Sequence, residues 1–101
     1  VGPQTIDNLK GLNADKLFLG TDGLTFSRGI TTSNLLEAEV DQAMVRAARE
    51  VIVVADSSKI GVVGLTSIMP LTEINTLITD SEAPADFVAQ LRAEGVNVIL
   101  A

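Results

Sequence analysis

The chain has no cysteine and no histidine among its 101 residues. The first absence removes a disulfide framework and any thiolate-held metal. The second removes the common zinc constellations and the triads that depend on an imidazole. No apolar run approaches the ~20 residues that a membrane-spanning helix needs. Basic residues are few, with Lys and Arg totalling 7 against 13 Asp and Glu and a net charge of -6. A surface this acidic repels a phosphate backbone, so these residues are not expected to bind nucleic acid themselves. No stretch reads as a signal peptide, internal repeat, low-complexity tract or linker.

What is present is apolar. The hydrophobic fraction of 47% predicts a packed core, and the length suits one modest domain. The first residue is Val1, at the approach to what reads as a helix, so a piece of a longer protein is expected. The most telling segment is Val51-Ile52-Val53-Val54-Ala55-Asp56-Ser57-Ser58-Lys59. Its apolar run lacks polar alternation and predicts a strand covered on both faces, hence a parallel sheet. The polar residues then fall at the strand's carboxyl end, where open α/β sheets bind ligands. An acceptor, two hydroxyls and a cation suit a small polyhydroxylated, phosphorylated molecule. A solvated turn is the plainer alternative, since Asp and Ser favour turns.

The remaining pattern supports alternating strands and helices. Pro3 opens a helix with Ile6, Leu9 and Leu12 on one face, and Gly11 and Asn13 stop it. Strand 17–20 leads into residues 21–34, which read as a long loop rich in Gly, Thr, Ser and Asp. Asn34 and Glu37 have capping-box spacing. The helix after them, 36–49, is expected to bury Leu36, Val40, Ala43, Met44, Ala47 and Ala48. Glu37, Glu39 and Asp41 in its early turns, and Arg46 and Arg49 in its last, match the helix dipole. Further strands are expected at 51–55, near 65–68, at 76–79 and at 97–100. Pro84 opens a last helix with Phe87, Val88 and Leu91 inward, and Gly95 ends it. Together these predict an α/β fold with a mainly parallel sheet and flanking helices.

The order of motifs is familiar. Asp15-Lys16-Leu17-Phe18-Leu19-Gly20 leads to Gly23, then to Gly29-Ile30-Thr31-Thr32 and Glu37-Ala38-Glu39-Val40, with Met44 inside the helix. The 51–59 segment and Leu77-Ile78-Thr79-Asp80 complete it. From about Gly2 to Leu100 the chain resembles the effector-binding domain of the DeoR-type bacterial transcriptional repressors. The resemblance implies a fold like those of ribose-5-phosphate isomerase, glucosamine-6-phosphate deaminase and the coenzyme A transferases. It implies that residues 1–101 are the C-terminal part of a sugar-phosphate sensor domain. The helix-turn-helix domain that binds operator DNA, and the first half of the sensor, would lie outside this chain. A homo-oligomer and a cytoplasmic location are expected with it, without membrane contact or cofactor.

The resemblance ties Asp56 and Lys59 to inducer response. Ser57 and Ser58 either contact the ligand or shape the turn. Asp22 and Gly23 stand where the related deaminases carry Asp-Gly-His, and Leu24 replaces that His. Thr25 and Phe26 replace the later acids of the isomerase motif. The general acid–base set is incomplete, which argues against an isomerase or deaminase, the first alternative function. Asp22 retains the capacity to accept from a sugar hydroxyl, unless it serves only an Asp-Gly turn. Gly29, Thr31 and Thr32 precede a helix N-terminus and form a candidate second wall, although Glu37 and Glu39 compete there with an anion. Arg28, in the same loop, is within plausible reach of a phosphate. A purely structural or oligomerisation fragment is the second alternative.

Overall fold

The computed structural model describes residue 11 and residues 13–101. The helix expected from Pro3, with Ile6, Leu9 and Leu12, lies outside the described residues. The described elements are β1 (Ala14–Leu19), β2 (Gly23–Thr25), β3 (Gly29–Thr32), α1 (Leu35–Ala47), β4 (Ala48–Val54), β5 (Thr66–Met69), β6 (Thr76–Thr79), α2 (Ala85–Ala93) and β7 (Asn97–Leu100). Short 3-10 turns stand at Ser57–Lys59 and Leu71–Glu73. Strands β1, β4, β6 and β7 form one sheet in the order β1-β4-β6-β7, and every pairing in it is parallel. This is the α/β sheet that the apolar runs predict.

The register shows how the sequence fills the core. Leu19 lies beside Val53, Val53 beside Leu77, and Leu77 beside Val98. That row joins Val88 and Leu91 of α2, Ala38 of α1, and Leu24, Ile30 and Ile68 in a single buried cluster. The opposite face is different. Its residues Phe18, Val54 and Ile99 are 64%, 47% and 45% exposed. The 51–54 run is therefore buried on both faces only as far as Val53. Parallel sheets are normally covered on both sides; here the second face is buried at Ile52 and Thr76 and exposed at Phe18, Val54 and Ile99.

Residues 21–34 are not a loop. They form a β2–β3 hairpin that joins β5 in a second, antiparallel sheet of order β2-β3-β5. The density of Gly, Thr and Ser reads as irregular backbone, yet Leu24, Ile30, Thr31 and Thr32 are all buried. Threonine suits a pleated surface as well as it suits a turn. Gly29 closes the hairpin with φ 78, and a β-carbon there would run into the Met69 carbonyl. Gly29→Ala is therefore expected to cost at least about 2 kcal/mol, combining left-handed backbone strain with displacement of β5. Thermal melts should show a fall of roughly 8 °C or more for a domain of this size. An unchanged melting temperature would mean that the hairpin can reseat.

Helix α1 starts as expected, with Asn34 Oδ1 accepting from the Glu37 N–H at 3.0 Å. It ends at Ala47, and Arg49 already belongs to β4. Its buried face is rotated from the expected one. Ala38, Asp41 and Ala43 are buried, Val40 and Met44 are half-buried, and Leu36 is 53% exposed. The stripe Ala38–Asp41–Val45 follows helical spacing, and the small side chain of Ala38 in the core lets the helix lie close to the sheets. Asp41 is thus not a surface complement to the helix dipole. Helix α2 matches its expectation. Pro84 caps it, Val88 and Leu91 are buried, half-buried Phe87 packs on Phe26 at 5.3 Å, and Gly95 follows with φ 89.

Candidate functional site

Because β1, β4 and β6 are parallel neighbours, their carboxyl ends share one edge of the sheet. Asp22 follows β1, Asp56 follows β4, and Asp80 follows β6. Asp22 Oδ2 accepts from the Thr32 hydroxyl at 3.2 Å and the Ser33 N–H at 3.0 Å. The Thr21 hydroxyl donates to the Thr31 carbonyl at 2.7 Å, fixing the same corner. Asp56 caps the 3-10 turn. Its Oδ1 accepts from the Ser58 N–H at 2.9 Å and from the Ser58 hydroxyl. The Lys59 N–H closes the turn onto the Asp56 carbonyl at 3.1 Å.

The segment after the turn folds back over the hairpin. Gly61 N–H donates to the Leu24 carbonyl at 2.8 Å, and Gly64 N–H donates to Thr31 Oγ1 at 2.8 Å. Gly23 lies so close beneath that a β-carbon would overlap the Val62 carbonyl. This packing carries the Asp56–Lys59 turn to the Asp22 corner. Among the candidate residues, Asp22, Asp56, Ser57, Ser58 and Lys59 come together at the strand ends. Gly23 and Thr31 are buried just behind them and hold the returning segment. Gly29 does not join the group. It sits at the other end of the hairpin, pairing with Thr25 against Met69 and Pro70. Two hollows of the surface are lined by other residues. One, of about 310 Å³, is lined by Phe26, Arg28, Ser67 and Pro70 among others, and one, of about 400 Å³, by Asn34, Leu36, Glu37 and Val40.

Residues 1–81 match the family model of the DeoR C-terminal sensor domain. The chain belongs to this family. A protein of Escherichia coli O157:H7 named for transcriptional repression of the aga operon is 39% identical over 99 residues, covering 98% of this chain and 37% of that protein. The regulator GlpR of Haloferax volcanii is 38% identical over 99 residues, covering 98% of this chain and 39% of its own length. The repressor GlcR of Bacillus subtilis is 31% identical over 99 residues, covering 98% and 38%. The chain therefore spans well under half the length of these curated relatives. It is a sensor domain of the DeoR type, with the sugar-isomerase-like α/β fold that the resemblance implied.

In this DeoR sensor domain the strand-end carboxylates are held in their ionised form. The Ser33 N–H, then the Thr32 hydroxyl, pull the Asp22 pKa below its ordinary value, with a smaller contribution from the Lys59 charge. Asp56 is lowered by the Ser58 hydroxyl, then by the Ser58 N–H and Lys59, against opposition from Asp80. Asp80 is lowered by the Ser57 N–H and hydroxyl and by the Glu82 N–H. Lys59 thus lies within electrostatic reach of both Asp22 and Asp56. One oxygen of each of those two carboxylates carries the bonds just described, leaving the other as an acceptor for a ligand hydroxyl. Asp80 ends one of the motifs quoted from the sequence but is not among the candidate ligand contacts expected there. The signal was there, since it ends an apolar run just as Asp56 does. Among the described residues no helix is long and apolar enough to cross a membrane, and no group of His, Cys, Asp or Glu is arranged to hold a metal.

Proposed function

We propose that this chain is the C-terminal part of a sugar-phosphate-sensing domain in a bacterial DeoR-type regulator. Its first half and a helix-turn-helix domain that binds operator DNA lie elsewhere in the polypeptide. The convergence of Asp22 with the Asp56–Lys59 turn at the carboxyl edge of the parallel sheet carries this reading. Lys59 supplies a cation to an anionic ligand oxygen, and the free carboxylate oxygens of Asp22 and Asp56 accept from hydroxyls. Effector binding shifts the regulator between DNA-bound and released states, which requires different effector affinities in the two. The regulator acts in the cytoplasm as a homo-oligomer.

It is not an enzyme on this reading. Leu24 is fully buried in the core, the Thr25 hydroxyl accepts from the Arg28 N–H at 3.0 Å, and Phe26 packs on Phe87. None of the three offers a proton-transfer group at the strand ends. Native mass spectrometry of the full-length regulator with ribose 5-phosphate, fructose 6-phosphate and glucosamine 6-phosphate, with turnover assays on the same compounds, tests the proposal. One-to-one binding per subunit without conversion is expected. Turnover, or no binding of any phosphorylated sugar, would overturn it.

A further inference from the structure

We infer that Asp80 is a positioning residue for effector binding, fastening the Asp56–Lys59 turn without touching the ligand itself. The inference rests on the reading of the strand ends given above. Asp80 Oδ2 accepts from the Ser57 N–H at 2.8 Å, and Asp80 Oδ1 accepts from the Glu82 N–H at 2.9 Å. Both oxygens therefore accept from backbone donors, one on the neighbouring turn and one on its own. Ser57 is the first residue of the 3-10 turn, and only three residues of turn separate Asp56 from Ile60. A turn that short has few bonds to hold it. Asp56 closes it from within through Ser58, and Asp80 ties it from outside to the end of β6. The Ala55 N–H donating to the Ile78 carbonyl at 3.1 Å sets the spacing between these two strand ends.

The consequence is geometric. A carboxylate and an ammonium engage a sugar phosphate well only if both are held in place before it arrives. Without Asp80 the Ser57 N–H loses its partner, and the turn gains freedom that binding must remove again. The charge on Asp80 opposes ionisation of Asp56. If repulsion were its main role, a neutral residue would help binding. If fastening is its role, removing the acceptor hurts, and asparagine, which keeps one carbonyl oxygen, restores part of the loss.

The test uses the full-length regulator, with Asp80→Ala and Asp80→Asn beside Asp56→Asn and Lys59→Ala. Affinity for the tightest of ribose 5-phosphate, fructose 6-phosphate and glucosamine 6-phosphate is read by calorimetry, amide exchange of Ser57 by NMR, and folding by thermal melts. Asp80→Ala is expected to weaken binding about tenfold or more, the scale of one hydrogen bond to a charged group. It should also speed exchange at Ser57 selectively, while Asp80→Asn falls between it and wild type. Wild-type affinity in Asp80→Ala, with Asp56→Asn and Lys59→Ala both weakened, would overturn the inference and leave the site standing. Weakened binding with Ser57 exchange unchanged would overturn it in favour of direct ligand contact. No effect from any of the four variants, or no binding by the wild type, would overturn the site and this inference together.

Discussion

Lys59→Ala in the full-length regulator is expected to leave operator binding intact and to block release of the operator by the effector. The ammonium is the single cation of the Asp22–Asp56–Lys59 group, and its charge reaches both carboxylates. Removing it leaves those acids facing an anionic ligand without the charge that offsets them. Charge-assisted hydrogen bonds are the stronger kind, so affinity should fall about tenfold to a hundredfold. Asp56→Ala should give the same non-inducible behaviour by two routes. It removes an acceptor for a sugar hydroxyl, and it uncaps the turn that carries Lys59. Asp56→Asn separates the routes, because the amide oxygen still accepts from the Ser58 N–H. Asp56 and Lys59 lie outside the buried core cluster, so melting temperatures should change little. Calorimetry with phosphorylated sugars, and operator binding with and without them, are the measurements. Normal induction in Lys59→Ala would remove this side chain from the site.

The parallel sheet was legible because its strands are written as apolar runs. Residues 51–54, 76–79 and 97–100 each present branched side chains without helical spacing, and all became adjacent parallel strands. The strand ends followed from the same logic, which is why Asp22, Asp56 and Lys59 stand out in the sequence as residues placed there. Asp80 obeys it equally but needed the geometry to show what its carboxylate holds. The hairpin at 23–32 was not legible. Its strands have three and four residues, and their burial comes from β5 and the returning 60–64 segment, not from local pattern. The separation of Gly29 from the strand ends is likewise invisible until the hairpin is folded. Helix α1 failed differently. Leu35, Leu36 and Val40 dominate its hydrophobic pattern, yet the core selects Ala38 and Ala43, whose small side chains allow close approach. Among the described residues those leucines, with Phe18, Val54 and Ile99 on one face of the main sheet, remain exposed.

The rotated helix has a measurable consequence at Asp41. Asp41→Asn is expected to stabilise the fold at neutral pH and to have almost no effect near pH 4. Asp41 is only 6% exposed, and its buried Oδ2 has no hydrogen-bond partner among the described residues. Burial disfavours the charged form, and Glu37 one turn earlier adds repulsion, so the pKa rises from 3.8 to about 6. The folded state therefore holds a proton between these values that the unfolded state has lost. Stability is greatest below the unfolded value and declines as pH rises through about 6. The full linkage over that window is about 3 kcal/mol. Solvent close to the helix screens part of it, leaving roughly 1–2 kcal/mol as the expected difference at pH 7. Asparagine mimics the neutral acid in shape and removes the titration. For a domain of this size the gain corresponds to about 4–16 °C in melting temperature. The acids at the strand ends titrate with the opposite sign, since their lowered pKa values remove stability as pH falls. They are common to both proteins, so the difference between the two melting curves across pH 3.5 to about 7 isolates Asp41. A constant difference across that range, or a less stable Asp41→Asn at pH 7, would mean that the ionised carboxylate is satisfied in the folded protein.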